Sequence, residues 1–175
     1  KPDFADAHYN LGNIFKGLSN LKDAELSYRK AIQINPNFAD AYFNLSLIEL
    51  IQGNYQSGLD NYEFRFKKNK PYITHIKTKL KRVNNEKSQE GEKLLIVSEQ
   101  GLGDTLQYMR YVPYLRNMGI NVAFCAQKKL HSLIKASAID PHPITPEQGN
   151  MVSEGKWIPL MSLPRYLNVR PKNPI

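Results

Sequence analysis

The sequence predicts an α-helical solenoid of two repeats followed by a small α/β domain with a parallel sheet. Self-similarity predicts the first part, because a shift of 34 residues places one segment of the chain on another. A change of periodicity predicts the second part, because helical spacing gives way to the continuous apolar run at 94–97. We place the repeats at 1–70, a basic polar linker at 71–92 and the α/β part at 93–175.

The self-overlay defines the kind of repeat. It places Pro2, Phe4, Ala5, Asp6, Ala7, Asn10 and Leu11 on Pro36, Phe38, Ala39, Asp40, Ala41, Asn44 and Leu45. The period is that of the tetratricopeptide repeat, a pair of antiparallel helices, and Leu11, Gly12, Phe15, Ala24, Tyr28 and Pro36 follow its pattern. We therefore predict helices near 5–17, 22–34, 39–52 and 55–68, with small residues at 12 and 24 where the helices approach closely.

The second repeat departs from the pattern at four positions, which are Ser46, Glu49, Gly58 and Arg65. Such departures are typical of a terminal repeat that meets another domain. Pro2 occupies the position of Pro36, which ends a repeat, so we expect a further repeat upstream and a chain that is an excerpt of a longer protein. Exposed repeat ends would then allow self-association.

Composition narrows the class of protein. The chain has 175 residues, of which 41% are hydrophobic and 23% charged, as in ordinary globular proteins. It has no apolar run of transmembrane length and no signal-peptide pattern, and its lone cysteine, Cys125, fits a reducing compartment. We expect a cytoplasmic protein without membrane insertion.

The net charge of +8 is concentrated between Arg65 and Arg82, a stretch without acidic residues. One interpretation is a contact with nucleic acid or another anionic surface. The other is the solvated end of the last helix and a flexible linker, with one short helix within 71–92. We favour the second and expect no nucleic-acid partner, because no stacking pattern of aromatic residues accompanies the charges.

A glycine turn follows the first predicted strand. The series continues with a helix from Leu106 to Leu115, a strand at 122–126 and a short helix at 130–134, which is the pattern of a doubly wound, Rossmann-like sheet. Gly101 and Gly103 permit close approach of a ligand to the backbone, and Asp104 with Thr105 can cap the next helix. We therefore name Gly101, Gly103 and Thr105 as candidate binding residues for a phosphate or a sugar hydroxyl, although a tight turn with an Asp cap explains the pattern equally well.

The turn also carries a family resemblance. The segment Glu99-Gln100-Gly101-Leu102-Gly103-Asp104-Thr105-Leu106-Gln107-Tyr108-Met109-Arg110-Tyr111 resembles the opening of the catalytic module in bacterial TPR-glycosyltransferases. Residues 58–66 resemble the closing repeat of that family, and residues 159–164 resemble its later Pro-Leu-x-Ser-Leu-Pro segment. The Trp-Asp-Gly-like segment often found between repeats and strand in that family is absent from 71–92.

The resemblance implies a glycosyltransferase-B architecture, in which two Rossmann-like halves face each other and the second half holds the nucleotide sugar. Residues 93–175 are too few for both halves, so we expect the acceptor-side half alone and no cofactor bound by this chain. A nucleotide-sugar donor is expected for the complete parent protein, with a protein or glycan as acceptor. The resemblance to heptosyltransferase-type enzymes makes Asp104 the candidate general base, and Glu99 is the second candidate, although a buried Glu there more often hydrogen-bonds backbone.

The repeats offer a second functional surface. Asn10 and Asn44 occupy the same predicted inward-facing position in successive repeats, and Asn13 lies one turn further along. An amide both donates and accepts, so a row of amides can hold an extended peptide without reading its sequence. The arrangement resembles the asparagine ladder of the nucleocytoplasmic O-GlcNAc transferase, and we predict a protein or peptide partner on the concave face.

The single cysteine, the single tryptophan and the histidines are best explained by structural roles. We interpret Cys125 as an inert core thiol and Trp157 as a packing residue at a strand edge, and the spacing of the histidines predicts no metal site. Two hypotheses stay open. The parent protein is a glycosyltransferase, or the chain is a noncatalytic TPR adaptor that binds peptides or proteins.

Overall fold

A computed structural model describes residues 4–170, apart from 85, 87 and 100. Pro2, on which the expectation of an upstream repeat rests, lies outside the described residues, as does Gln100 of the family motif. The chain divides into two compact units, Lys1–Tyr72 and Ile73–Ile175. The predicted fold class is confirmed, because helical repeats are followed by a small parallel sheet with helices.

The first unit consists of two helical hairpins. Its helices are α1 (Ala5–Gly17), α2 (Leu21–Ile34), α3 (Ala39–Ile51) and α4 (Tyr55–Tyr62), and the 3-10 turn Glu63–Phe66 follows α4. The boundaries predicted from the repeat hold within one residue for the first three helices. The fourth ends earlier than predicted, where the buried Arg65 guanidinium donates to the carbonyl of Tyr62 at 3.2 Å and so satisfies an acceptor at the helix end.

The hairpins pack through small residues and a shared apolar core. A Cβ atom added to Gly12 would lie 2.6 Å from Cε1 of Tyr28, so the glycine brings α1 directly onto that ring. The buried centre consists of Ala24, Tyr28, Leu45 and Ile48. The close approach predicted for the small residues is therefore present in the structure.

Two departures from the repeat pattern are buried charged groups with partners. Glu49 has no exposed surface, and its carboxylate accepts from Arg29 and from Asn61, each at 2.8 Å. Arg65 is also fully buried, and its guanidinium lies 2.8 Å from Glu63 and 4.2 Å from the ring centre of Phe66. These two departures therefore form polar contacts within the first unit, and Glu49 joins the second repeat to α2 of the first.

The second unit is built on a four-stranded parallel sheet in the order β1-β4-β2-β3. The strands are β1 (Lys81–Arg82), β2 (Lys93–Val97), β3 (Asn121–Cys125) and β4 (Lys156–Pro159). The helices are α5 (Leu102–Tyr108), α6 (Tyr111–Asn117), α7 (His131–Ala136), α8 (Pro146–Asn150) and α9 (Leu163–Tyr166). The 3-10 turns Lys128–Leu130 and Leu160–Ser162 precede α7 and α9.

Both faces of the sheet are buried, as the apolar run predicts. Leu94 and Ile96 face a cluster with residues of α6 and α7, whereas Leu95 and Val97 face a second cluster with Cys125. Burial raises the pKa of the Cys125 thiol to about 12, which agrees with an inert core cysteine. Trp157 does not lie on an edge strand, because β4 pairs with β1 on one side and β2 on the other.

Two expectations for the second unit differ from the structure. Residues 73–92 belong to this unit instead of a separate linker, and Ile76 and Val83 are buried in its two cores. In place of the expected short helix, this segment contributes β1, which pairs with β4. The helix predicted after the glycine turn is divided into α5 and α6 at Met109 and Arg110.

Candidate functional site

The glycine turn lies where the sheet connections diverge. β3, the next strand along the chain, pairs on one side of β2, and β4 pairs on the other. The turn leaves the carboxyl end of β2 and leads into α5. In open parallel α/β sheets, ligands bind in the crevice at such a switch point. The predicted candidate residues therefore stand at the position in the fold that most often binds ligands.

The two glycines of the turn are not required by the protein around them. Gly101 has an ordinary φ of −60°, and Gly103 is not among the glycines with a positive φ. Among the described residues, which do not include Gln100, a Cβ atom added to Gly103 would meet nothing within 4 Å, and one added to Gly101 would only touch Oδ2 of Asp104 at 3.7 Å. No atom of the described residues therefore fills the space beside these two glycines.

Thr105 is a structural residue of the turn. Its side chain is 1% exposed, and Oγ1 lies 2.9 Å from Oε1 of Gln127 and 3.3 Å from the carbonyl oxygen of Gly101. The N-cap of α5 is Gly101, which has no side-chain cap hydrogen bond, so the expectation that Asp104 and Thr105 cap this helix is wrong. Thr105 instead links α5 to the segment after β3 through its hydrogen bond with Gln127.

Asp104 is the half-buried carboxylate of the turn. Its Oδ2 atom lies beside the backbone of Gly101, and no hydrogen bond or ion pair joins it to any residue that the structure describes, among which Gln100 is not included. This carboxylate lies at the switch point, and no described side chain forms a hydrogen bond with its oxygens. Such a group is able to accept a proton from a bound ligand.

Glu99 holds the ends of two strands together. It is 5% exposed, and its Oε1 accepts a hydrogen bond of 3.1 Å from the backbone N–H of Met161, directly after β4. This is the backbone contact that we expected for a buried glutamate at this place. Glu99 therefore shapes the crevice between β2 and β4.

A surface cavity of about 510 Å³ lies at the opposite edge of the sheet. It is lined by Glu86, Gln89, Glu90, Glu92 and Lys156. The Lys156 ammonium lies 2.6 Å from Glu92 and lowers the pKa of that carboxyl. Within the part of the chain that is described, no group of three or more His, Cys, Asp or Glu residues could hold a metal ion. This cavity contains none of the predicted site residues.

The structure brings two of the three predicted asparagines together. Nδ2 of Asn44 donates to Oδ1 of Asn13 at 3.0 Å and to the hydroxyl of Tyr9 at 3.2 Å. Oδ1 of Asn13 also accepts from the Tyr28 hydroxyl at 2.8 Å. Asn10 is exposed, and no hydrogen bond joins it to a residue within the described ranges.

Sequence reasoning missed the cation in this network. Lys16 follows Asn13 by three residues, so both lie on one face of α1, and its ammonium donates to Oδ1 of Asn44 at 3.2 Å. Tyr9 precedes Asn13 by four residues on the same face. The signal was therefore present as helical spacing, but the partner in α3 was not visible without the packing of the repeats.

The residues of the basic stretch are divided between the two units. Arg65 is buried, Lys68 lies near Asp40 of α3, and Arg82 belongs to β1 in the other unit. Within the described residues, no helix is long and apolar enough to cross a membrane.

Comparison with known proteins identifies the repeats. Models of the tetratricopeptide repeat match residues 5–38 and 27–60. No curated protein sequence matches the chain. Among solved structures, a mutant of the O-GlcNAc transferase of Thermobaculum terrenum is similar, with 13% identity and a TM-score of 0.33 over 77% of this chain. This chain spans 34% of the length of that structure. The helical hairpins of residues 5–60 therefore match the tetratricopeptide repeat, and a parallel α/β unit follows them.

Proposed function

We propose that the chain joins a protein-binding tetratricopeptide module to the acceptor-side half of a glycosyltransferase-B-like domain. In the longer protein, this half receives the hydroxyl group to which a sugar is transferred from a nucleotide donor. The acceptor is a protein or a glycan, and the repeats bind a protein or peptide. The proposal draws on the resemblance of residues 99–111 to the TPR-glycosyltransferases.

The observation that carries the proposal is the unexplained pair of glycines at the switch point. Gly103 is the second residue of α5, a helical position that alanine fits at least as well as glycine. Neither its backbone conformation nor a neighbouring atom requires it. A ligand that approaches the backbone closely supplies a reason for glycine, and a sugar or phosphate group has the right size and polarity.

The chemistry assigned to Asp104 is general-base catalysis. Its carboxylate would accept the proton of the acceptor hydroxyl while that oxygen forms a bond to the anomeric carbon of the donor sugar. The bond between this carbon and the nucleoside diphosphate breaks, and the diphosphate leaves with the electron pair. Glu99 would hold the ends of β2 and β4 together at the crevice without touching the reacting atoms.

The test uses the natural polypeptide that contains this segment. Release of nucleoside diphosphate is measured with a panel of nucleotide sugars in the presence of its protein partners. Asp104→Asn should lower the transfer rate by at least about a hundredfold, in the range of general-base catalysis. Glu154→Gln, an exposed change at the opposite edge of the sheet, is the matched control and should have no effect.

Gly103→Ala separates a ligand site from a structural turn. Since no described residue crowds this position, the variant should be at least as stable as the natural sequence, and transfer should still fall because the methyl group obstructs the ligand. A Gly103→Ala protein with undiminished transfer, or an Asp104→Asn protein with an unchanged rate, would contradict the assignment.

A noncatalytic adaptor is the second candidate function. It is favoured by the structural roles of two turn residues, since Thr105 is buried against Gln127 and Glu99 holds the backbone of Met161. In this case the α/β unit has a structural role only and carries out no catalysis. The adaptor hypothesis predicts stable capture of protein partners by the repeats and no release of nucleoside diphosphate with any donor.

A further inference from the structure

The segment 73–82 of the second unit has one exposed side and one buried side. Its odd-numbered residues are exposed, whereas its even-numbered residues are buried or half-buried. Ile76 and Leu80, on the inner side, pack into the core cluster that contains Cys125. Alternation with a period of two is typical of an extended chain that lies on a packed surface. The exposed side chains, in chain order, are those of Ile73, His75, Lys77, Lys79 and Lys81.

We call Lys77, Lys79 and Lys81 the lysine row. Within the described residues, no ion pair or side-chain hydrogen bond joins any of these three ammonium groups to another residue. Residues two apart along an extended chain lie about 7 Å from each other, so neighbouring charges of the row repel. The second unit as a whole has 15 Lys and Arg residues against 8 Asp and Glu residues, a net charge of +7. An anionic surface would relieve this repulsion.

Two exposed apolar side chains lie near the lysine row. Ile73 is 78% exposed and Met151 is 80% exposed, the highest values among the large apolar side chains that the structure describes. Ile73 precedes Lys77 by four residues in the same segment. Met151 follows Asn150, whose Oδ1 accepts from the backbone N–H of Lys77 at 2.7 Å. Lysines and exposed apolar side chains are therefore found together over the cluster that contains Cys125.

The acidic residues beside Met151 have cations of their own. Glu154 is paired with Lys93. Hydrogen bonds and, to a smaller degree, the charge of Lys128 lower the pKa of Glu147. These two carboxylates are therefore matched by other cations, and the charge of the lysine row is left for a partner.

We propose that the lysine row, with Ile73 and Met151, attaches the chain to the face of a bilayer that contains anionic phospholipids. Lysines near such a face are attracted by its negative potential, and exposed apolar side chains enter the boundary between head groups and acyl chains. A single-stranded nucleic acid would account for the lysines but not for the two aliphatic side chains, which offer no platform on which bases stack. The combination of charge and apolar exposure therefore favours a lipid surface.

The glycine turn lies away from this surface. The helix α5, which follows the turn, packs through Tyr108 on the core cluster at the other face of the sheet, whereas the segment 73–82 covers the cluster that contains Cys125. A chain attached through the lysine row would therefore keep the turn accessible. The inference is independent of the proposed transfer reaction, because no residue of this surface belongs to that site.

The test uses the full chain and sedimentation with two kinds of vesicle, one of pure phosphatidylcholine and one in which a third of the lipid is phosphatidylglycerol. Binding to the anionic vesicles should be at least about tenfold tighter and should weaken as salt is added, because salt screens the attraction. Each lysine near an anionic face contributes a factor of about five. The variant Lys77→Gln with Lys79→Gln should therefore bind the anionic vesicles about twentyfold more weakly.

Lys129→Gln with Lys135→Gln is the matched control. Both lysines are exposed and belong to the same unit, they flank residues of the core cluster at the other face of the sheet, and the change of net charge is the same. This variant should bind the anionic vesicles within about twofold of the natural chain. Equal loss in the two variants would mean attraction by net charge alone and would overturn the inference.

Ile73→Ser with Met151→Ser separates a bilayer from a polyanion in solution. Because both side chains are exposed, the variant should keep its thermal stability and bind the anionic vesicles at least about fivefold more weakly. Fluorescence anisotropy with a labelled single-stranded RNA tests the alternative partner. RNA binding as tight as vesicle binding, lost in the Lys77 and Lys79 variant and retained in the serine variant, would overturn the inference. Equal binding to both kinds of vesicle, or to neither, would also overturn it.

Discussion

Replacement of Gly12 by alanine tests the packing of the first repeat. The new Cβ atom would lie 2.6 Å from Cε1, 2.7 Å from Cδ1 and 3.0 Å from Cζ of Tyr28. The ring cannot easily yield, because it has no exposed surface and its hydroxyl is held by Asn13 at 2.8 Å. The backbone of α1 must therefore move.

The expected change in the free energy of unfolding is the difference of two opposing contributions, helix propensity and overpacking. Alanine in place of glycine favours a helix by up to about 1 kcal/mol, whereas overpacking a tight contact costs about 1–3 kcal/mol. Gly17→Ala is the matched control, because it lies in the same helix and nothing is within 4 Å of its added Cβ atom. The free energy of unfolding of Gly12→Ala should therefore fall about 1–3 kcal/mol below that of Gly17→Ala.

Urea denaturation followed by circular dichroism at 222 nm measures this difference, because the four helices of the first unit are the longest helices that the structure describes. Trp157 is the only tryptophan of the sequence and lies in β4, so its fluorescence reports the second unit separately. A Gly12→Ala protein that equals or exceeds Gly17→Ala in stability would refute the contact between α1 and the Tyr28 ring.

Two further predictions concern buried polar groups of the repeats. Arg29→Ala leaves the fully buried Glu49 carboxylate with Asn61 as its remaining donor and should destabilise the chain by about 1–3 kcal/mol in urea denaturation, whereas Lys30→Ala should change it little. A loss below about 1 kcal/mol would contradict the internal pairing. Burial, with a smaller effect of a neighbouring tyrosine, raises the pKa of Tyr28 from 10 to about 12, so folding favours the protonated phenol. Stability should be intact below about pH 10 and fall as the pH rises towards 12, by at most about 1.4 kcal/mol per pH unit, and Tyr28→Phe should remove this part of the pH dependence.

Much of the first unit follows from local sequence signals. The repeat sets the register of the helices, and a helix that shows one apolar face every three or four residues is recognised from its own segment. For this reason α1, α2 and α3 begin and end within one residue of their predicted limits. The early end of α4 was not predicted, because it depends on the burial of Arg65 among residues of the same turn.

The glycine turn was predicted as a candidate site, whereas the roles of its residues were not. Nothing in the segment itself shows that Thr105 contacts Gln127 or that Glu99 accepts from the backbone of Met161, which is far along the chain. Those contacts exist only because β2 lies between β3 and β4. Strand order is a property of the assembled sheet, so it could not be read from the strand residues.

The sequence by itself determined the repeat, its helical register, the doubly buried strand Lys93–Val97 and the placement of a glycine turn after it. These features depend on neighbours within a few residues along the chain. Only the tertiary structure decided that Lys81–Arg82 is a strand, because two residues carry no periodicity, and that Asn13 and Asn44 meet. The oxygen of Asn44 faces Lys16, and this contact exists only because α1 packs on α3.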